Sequence, residues 1–447
     1  MKGRSMATVL PFKGILYNPE TIPDSAEVTS PPYDVISPEA QAAFHQRHPN
    51  NIIRLILGAP APSDTPDNNP HTRSAAFFQE WLKQGVLKQD DQPALYLKAI
   101  TWPWKNGSIT RYGLIARIKI EEFEKKIILP HEKTFSRVRS ERLELLKATH
   151  CNYCPVFAIY PDEHNIVKIL ENSVDKARPD VDFVDEEGHH HQFWRISDPA
   201  VHDQVAAGMA DKPLVIADGH HRYETALNYR NYLRETDPLF TDQHPANDVM
   251  MYLCSMSDPG LIILPAHRLV REVGPEVLKT ALDRARSFFD IADYPFTPDT
   301  RKAVEEKFLE ALTQHAKNQA IGVYGRGAPV FHLLTLKPGA MNAEFGDALD
   351  PALQELDVTV LTRLVFMRIL GFDQARLDDA TKFGYVTDAG EALAAIDSGE
   401  FDAAFLLNPT RIDQVAEVAQ KGLTMPRKST YFYPKVRSGL VMNILKA

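Results

Sequence analysis

Cysteine is scarce in this sequence, with three residues in a chain of 447. So small and odd a number does not build a disulfide framework, and it favours reduced thiols. Cys151 and Cys154 have the spacing of half a zinc site, but a tetrahedral site needs four ligands and the sequence has no second pair of this kind. We therefore expect the cysteines to be structural, and we expect no zinc.

Long apolar runs and an excess of positive charge are also lacking. No stretch reaches the roughly 18 to 20 uncharged residues that a membrane helix needs, and the first residues lead into no signal-type apolar core. A net charge of −9 argues against a broad basic surface for nucleic acid. The sequence thus predicts a cytoplasmic globular protein with neither a nucleic-acid partner nor a membrane association. It leaves the oligomeric state open.

The common nucleotide and hydrolase motifs are missing as well. The sequence has no GxxxxGK[ST] loop, no GxGxxG behind a strand, no HExxH and no GxSxG elbow. P-loop nucleotidases, dinucleotide-binding enzymes, zincins and α/β-hydrolases are therefore not indicated, and any site must be built from other residues.

Strand-like and helix-like segments alternate along the chain, which predicts an α+β or mixed α/β fold. The length exceeds that of one ordinary core, so two regions are expected. A turn-rich stretch after residue 292 sets the predicted boundary between an N-terminal α/β region, 1–292, and a C-terminal α/β region, 293–447. The tail of the second region could fold back onto the first.

The segment "KPLVIADGHHRYETALNYR" changes at its centre from an apolar strand pattern to a helical pattern. Asp218 is predicted to cap the helix, and Gly219 permits an unusual dihedral and the close approach of a ligand. His220, His221 and Arg222 then fall in the first turn, where basic side chains oppose the helix dipole. A bound anion would compensate for this placement, because helix N termini are ready-made phosphate sites. A plain cap with solvated neighbours is the alternative.

Two loops in the first region offer further polar side chains. "SPPYDVIS" presents Tyr33 and Asp34 on a turn before a helix, and "LPHEKTF" presents His131 and Glu132. A rigid Pro-Pro turn with Asp34 as a local cap explains the first loop equally well. A solvated basic face does not explain His131 and Glu132, so these two are candidates for the site.

Near the C terminus, "PRKSTYFYPK" presents Lys428 and Ser429 before a pair of tyrosines. A lysine beside hydroxyl groups suits a phosphate or a carboxylate. An edge strand with ordinary lysines is the alternative.

"EEGHHHQF" contains three consecutive histidines. Neighbours in a strand alternate between faces, so at most His189 and His191 point the same way. Two ligands on one strand are an incomplete metal site.

The order of strand, "DGHHR" and amphipathic helix resembles the signature of the ParB/sulfiredoxin superfamily, and a helix predicted over 199–209 fits the same order. The resemblance implies a ParB/sulfiredoxin-like core within a larger two-domain α/β chain, with nucleotide or substrate phosphate at this turn. Within that superfamily, the free-serine kinases carry a similar turn and phosphorylate serine with a nucleotide donor.

A second resemblance covers nearly the whole chain. In this order, "SPPYDVIS", "LPHEKTF", "ERLELLKATHCNYCPVFAIY", "ADGHHRYETA", "GLIILPAHRLV" and "MPRKSTYFYPKVRSGL" are similar to blocks of the bacterial and archaeal family called domain of unknown function 1015. This family implies little chemistry, so the functional expectations depend on the residues and on the first resemblance.

These features favour a phosphoryl-transfer enzyme acting on a small phosphorylated metabolite, and the resemblance to free-serine kinases implies phosphoserine and serine as the pair. The residues expected to bind phosphate or substrate are Asp218, Gly219, Arg222, Lys428, Ser429, Tyr33 and His131. The residues expected to act in catalysis are His220, His221, Glu132 and Asp34. Serine as the acceptor would make the protein a kinase and water would make it a phosphatase, and the sequence does not choose between them.

Mg²⁺ and a nucleotide, ADP or ATP, are expectations of this chemistry rather than of a motif, with Asp218 as the candidate metal ligand. The alternative function is a non-catalytic, ParB-like nucleotide-binding regulatory protein. A metal hydrolase built on His220 and His221 is disfavoured, because adjacent residues at a helix start diverge by about 100°.

Overall fold

The computed structural model of the chain describes residues 7–132 and 136–446. The strands are β1 (Val9–Leu10), β2 (Ile15–Tyr17), β3 (Leu87–Gln89), β4 (Leu95–Trp104), β5 (Gly107–Lys119), β6 (Ile128–Leu129), β7 (Cys151–Asn152), β8 (Val156–Tyr160), β9 (Val181–Val184), β10 (His190–Ile196), β11 (Leu214–Asp218), β12 (Asp248–Ser255), β13 (Ile262–Leu264), β14 (His267–Val270), β15 (Phe289–Pro295), β16 (Ala320–Gly325), β17 (Val330–Leu336), β18 (Phe383–Val386), β19 (Ala403–Leu407), β20 (Tyr431–Tyr433) and β21 (Asn443–Ile444).

The helices are α1 (Pro38–Arg47), α2 (Ile53–Ile56), α3 (Pro70–Lys83), α4 (Ser136–Thr149), α5 (Ile166–Asn172), α6 (Pro199–Met209), α7 (His220–Thr236), α8 (Pro275–Ala285), α9 (Arg301–Gln314), α10 (Ala340–Phe345), α11 (Pro351–Gln354), α12 (Asp357–Thr359), α13 (Gln374–Asp378), α14 (Ala389–Asp397) and α15 (Ile412–Gln420). A π-helical segment, Val360–Ile369, continues α12. Helices and strands interleave along the chain, so the predicted mixed α/β class is confirmed.

The chain forms two compact units. The first contains Met1–Ile262 and Pro434–Ala447, and the second contains Ile263–Tyr433. The predicted boundary at 292–293 falls inside β15, which pairs along its length with β17. A division there would cut a sheet, and for this reason the units divide earlier in the chain. The last residues belong to the first unit.

In the described part of the first unit, a nine-stranded mixed sheet has the strand order β6-β11-β8-β12-β5-β4-β10-β9, with β1 paired to β5. Its long hairpin, β4–β5, turns through Lys105 and Asn106, and Lys105 has a φ of 53°. A positive φ at the first turn residue is characteristic of the two-residue turns that join hairpin strands. Apolar side chains such as Leu97, Ile118 and Val205 pack into one core of this unit.

The strand directions at one end of this sheet set the position of the site. β6 and β11 are parallel neighbours, and β8 runs antiparallel to β11 on its other side. The segments that follow β6 and β11 and the segment that precedes β8 therefore emerge at the same edge of the sheet. Parallel neighbours bring their carboxyl ends together in this way, and such edges are common ligand sites.

Helix α6 leads into β11 and forms as the sequence predicts. The Asp198 side chain accepts a hydrogen bond from the N–H of Ala200, and Pro199 occupies the first helical position. Val205 and Met209 are fully buried on its inner face. The predicted order of helix, strand, turn and helix around the "DGHHR" segment is confirmed.

The second unit is built on a six-stranded sheet with the order β15-β17-β16-β19-β14-β18, and its described pairings are antiparallel. Phe308, Phe331 and Ile396 are among the residues of its core. Among the described helices of either unit, none has the length and apolar character that crossing a bilayer would require.

Candidate functional site

The turn between β11 and α7 is formed by Gly219, which has φ 87° and ψ 31°. This left-handed conformation suits glycine, and the residue is the N-cap of α7. The structure corrects the predicted capping role of Asp218, because the strand extends through this residue and no side chain caps the helix. The carboxylate of Asp218 is therefore available for other contacts.

Asp218 holds two cations at the start of α7. One carboxylate oxygen accepts from Lys435 Nζ at 2.6 Å and the other accepts from Arg222 Nη2 at 2.5 Å. Burial acts to raise the pKa of Asp218, but the two cations outweigh it and hold that pKa well below its usual range. The carboxylate is thus ionised, and it positions an ammonium and a guanidinium side by side.

Arg222 is fixed from several directions. Besides Asp218, its guanidinium donates to the carbonyl oxygen of Pro155, which lies just before β8. A Cβ atom at position 219 would come within 2.7 Å of Arg222 Nε. Glycine is therefore needed here for two reasons, its positive φ and the close passage of the arginine.

His131 and His220 meet because β6 and β11 are parallel neighbours. The backbone N–H of His131 donates to His220 Nε2 at 3.3 Å, and the two rings make an edge contact with centroids 4.7 Å apart. Burial is the main cause that lowers the pKa of each histidine to about 3. Both rings are therefore neutral at pH 7, and His220 Nε2 is occupied as the acceptor of the His131 N–H. A catalytic role of His220 stays a prediction.

Tyr33 and Asp34 lie on a short 3-10 turn, and both interact electrostatically with Arg222. Asp34 is exposed, whereas Tyr33 is partly buried, with the guanidinium of Arg142 4.2 Å from the centre of its ring. Burial, followed by the charge of Asp34, raises the pKa of Tyr33, so the phenol keeps its proton. Asp34 is the exposed carboxylate on this side of the site.

Glu132 and His221 complete the set of predicted residues that belong to the first unit. Both side chains are partly exposed. Glu132 interacts electrostatically with His131, and His221 does so with His220. Their roles stay predictions.

Lys428 and Ser429 belong to the second unit. The Ser429 hydroxyl donates to the carbonyl oxygen of Pro426 at 2.5 Å, and the carbonyl oxygens of Lys428 and Ser429 accept from Arg268 and Thr410. These contacts shape a turn of that unit in which Ser429 is buried and Lys428 is exposed. A role of Lys428 and Ser429 in phosphate binding stays a prediction.

The residue at this turn that sequence reasoning missed is Lys435, which pairs with Asp218. It is the last residue of the quoted block "PRKSTYFYPK", but the adjacent basic and hydroxyl residues earlier in that block drew the prediction to Lys428. Lys435 lies in the segment that belongs to the first unit, and its side chain is 13% exposed. Pro434 was the available signal in the sequence, because a proline ends the preceding strand pattern and so separates Lys435 from the residues before it.

Neither of two possible metal positions fits a divalent cation well. Both oxygens of Asp218 accept from cationic side chains, an arrangement that does not suit the predicted Mg²⁺ ligand. Three residues, Asp185, His189 and His191, bring possible ligand atoms within 4.8 Å of one another. The two histidines lie together, as the alternation of side chains along a strand predicts. However, Arg437 Nη1 lies 3.2 Å from the Asp185 carboxylate and fills the role of a cation there.

Comparison with known protein families gives one match. A family model described as "Protein of unknown function (DUF1015)" matches residues 9–359, which confirms the family resemblance drawn from the sequence blocks within that range. No curated protein matches the chain in sequence.

Several solved structures show a distant likeness. A conserved hypothetical protein from Pyrococcus furiosus has 13% identity and a TM-score of 0.34, with 75% of this chain and 95% of that chain covered. A free serine kinase in complex with AMP has 13% identity and a TM-score of 0.34, with 75% and 91% covered. SbnI with a C-terminal truncation, from Staphylococcus aureus, has 11% identity and a TM-score of 0.32, with 72% and 84% covered. At these TM-scores the likeness assigns neither a fold nor an activity to this chain.

Proposed function

The chain belongs to the DUF1015 family, and from the residues that meet at the start of α7 we propose that it catalyses phosphoryl transfer on a small phosphorylated metabolite. Serine and phosphoserine are the favoured pair, because the turn at 218–222 resembles that of free-serine kinases. Serine as the acceptor gives a nucleotide-dependent kinase, and water gives a phosphatase.

The main support for this proposal is that Lys435 and Arg222 both contact the carboxylate of Asp218. Two cations meet at the single carboxylate of Asp218, at the N terminus of a 17-residue helix. Gly219 has no side chain, so none at the N-cap position competes for the first N–H groups. Fixed positive charge and a helix N terminus together form a site for a phosphoryl group.

Phosphoryl transfer depends mainly on positioning and on charge stabilisation, and this site supplies both. Lys435 and Arg222 would neutralise charge on the transferred group. Asp218 would hold the two cations without touching the substrate, which makes it a positioning residue.

A carboxylate is still needed to orient or deprotonate the acceptor. Asp34 is exposed and interacts with Arg222, and Glu132 follows His131 at the end of β6. Either group suits a general base for a hydroxyl or for water. We assign proton transfer or a phosphate contact to His221, because it is partly exposed, whereas His220 is buried and its Nε2 already accepts from His131.

Mg²⁺ would enter with the phosphates of a nucleotide, ADP or ATP, and would neutralise part of their charge. The residues of this chain would then bind and orient the phosphoryl group through Lys435, Arg222 and the N terminus of α7.

The test is an assay of the purified chain with phosphoserine, with and without ADP and Mg²⁺, in which serine, phosphate and ATP are all measured. Lys435→Met should lower turnover by about 100-fold, the effect of removing one preorganised cation. Lys446→Met, an exposed lysine of the same tail, is the matched control and should retain turnover.

The outcomes separate the candidate functions. If neither direction shows turnover above that of Lys435→Met, the serine assignment is rejected. If calorimetry then shows nucleotide affinity without turnover, the regulatory alternative is favoured.

A further inference from the structure

Arg222 also lines a cavity in the first unit. It has a volume of about 70 Å³ and is lined by residues of α4, α7, β8 and β12, together with Tyr33 from the 3-10 turn. Ile56, Leu146 and Val249 supply apolar parts of its wall. A water molecule takes up about 30 Å³ in the liquid, so the volume suits a group of a few heavy atoms.

Three hydrogen-bond donors of this wall have no partner among the residues that the structure describes. They are Arg142 Nε, Arg222 Nε and Thr225 Oγ1. The side chains of both arginines are 9% exposed, and Thr225 as a whole is 4% exposed. Buried donors are almost always satisfied in native proteins, so three of them around one cavity indicate an occupant that accepts hydrogen bonds.

The terminal guanidinium nitrogens of both arginines already have partners. Arg142 Nη1 donates to the carbonyl oxygen of Ile56 at 2.6 Å, and Arg222 donates to Pro155 and Asp218. The carboxylate that pairs with Arg142, Glu141, is largely exposed, with 56% of its side chain accessible. An exposed partner neutralises a buried guanidinium only weakly. The guanidinium of Arg142 therefore keeps most of its positive charge at the cavity wall.

The other polar groups of the wall do not cancel this charge. Burial raises the pKa of Cys151 and of Cys154, so both thiols are neutral at pH 7. Thr225 follows Arg222 by one turn of α7, and helices α4 and α7 pack together, which brings Arg142 to the same space. The wall thus combines two guanidinium groups, a hydroxyl donor and apolar sides.

We propose that this cavity binds the carboxylate of the substrate, which makes the substrate a phosphorylated hydroxy or amino acid rather than a phosphorylated alcohol or sugar. This inference rests on the proposed phosphoryl-transfer function. Arg222 then belongs to both parts of the site, because it pairs with Asp218 and also lines the cavity. Guanidinium groups and carboxylates match in charge and in hydrogen-bonding geometry.

The experiment compares two ligands that differ only in the carboxylate. Calorimetry measures binding of O-phosphoserine and of O-phosphoethanolamine to the full chain and to Thr225→Val. The wild type should bind phosphoserine at least about tenfold more tightly, and Thr225→Val should remove most of that difference while leaving the affinity for phosphoethanolamine unchanged. Because the Thr225 hydroxyl has no described partner in the protein, the substitution should not lower the Tm.

Thr359→Val is the matched control. The hydroxyl of Thr359 is also buried without a partner in the described residues, but it lies in α12 of the second unit. This variant should bind both ligands as the wild type does. Arg142→Lys, which keeps the charge but loses the planar donor set, should weaken phosphoserine binding selectively.

Each result separates this inference from the proposed function. Equal affinities for the two ligands would overturn the carboxylate assignment and leave phosphoryl transfer intact. If the protein binds phosphoserine selectively but shows no turnover in either direction, carboxylate binding in the cavity is supported and the catalytic proposal is rejected. If Thr225→Val changes neither affinity, the cavity holds water only and the inference is overturned.

Discussion

The ammonium of Lys435 lies 2.6 Å from the carboxylate of Asp218, although 217 positions separate the two residues along the chain. This ion pair is the contact through which the C-terminal tail completes the site at α7. The side chains of Lys435, Asp218 and Arg222 are 13%, 16% and 9% exposed, so the charges interact with little screening by solvent.

Asp218→Asn should destabilise the first unit. It would leave the cations of Arg222 and Lys435 close together without their shared anion, and removing one partner of a largely buried pair costs about 3 kcal/mol or more. Urea unfolding measures the loss. Adding Lys435→Met to Asp218→Asn should recover part of it, because one unpaired cation then remains instead of two. Strict additivity of the two substitutions would contradict this account.

Gly219→Ala should impair both stability and phosphate binding. An alanine at φ 87° is strained by about 1 kcal/mol or more, and its Cβ would lie 2.7 Å from Arg222 Nε. Gly327→Ala is the matched control, since Gly327 has φ 73° with no atom within 4 Å of an added Cβ. Both variants should lose stability in urea, but only Gly219→Ala should lose affinity for phosphate in calorimetry. Equal affinities in the two variants would show that Arg222 has room to move.

The stability of the first unit should fall as the pH decreases from about 6.5 towards about 3. The pKa values of His131 and His220 are lowered from 6.5 to about 3 in the folded chain, mainly by burial. The unfolded chain therefore binds more protons in this range, so stability is complete above pH 6.5 and is lost as the pH approaches the folded values. Each histidine contributes a slope of up to about 1.4 kcal/mol per pH unit.

Urea unfolding at several pH values tests this slope. His220→Gln should make the dependence shallower, because a neutral amide replaces the buried imidazole. The exposed His164→Gln should leave the dependence unchanged. A wild type whose stability is constant between pH 6.5 and 4 would contradict the burial of these two rings.

Arg437→Met should loosen the tail that carries Lys435. Arg437 is 4% exposed, and it donates to Asp185, Glu186 and the carbonyl oxygen of Thr29, which joins the tail to two other segments of the first unit. Its removal leaves Asp185 without its guanidinium partner and should cost about 3 kcal/mol in urea unfolding.

Limited proteolysis gives a second measure of the same change. Cleavage within 434–446 should become faster in Arg437→Met than in Lys446→Met, which removes an exposed charge from the same tail. Unchanged cleavage would show that other contacts hold the tail.

The candidate site was partly predictable. Local patterns located the β11–α7 turn, the glycine at its centre and the candidate loops at Tyr33 and His131, because backbone propensities act over a few residues. Asp218 was assigned to capping, which the same local pattern permits. Its observed role depends on Lys435, which no local pattern connects to it.

By itself, the sequence determined the mixed α/β class, the helix, strand and turn order around residues 198–236 and the family, because each is recorded in short-range periodicity or in ordered blocks of residues. Only the tertiary structure decided which residues meet. The parallel pairing of β6 with β11 brings His131 to His220, and the return of the chain at Pro434 brings Lys435 to Asp218. Burial keeps the two histidines neutral, and contact with two cations keeps Asp218 ionised. Both conditions arise only when distant segments pack, so they could not be predicted from the local sequence.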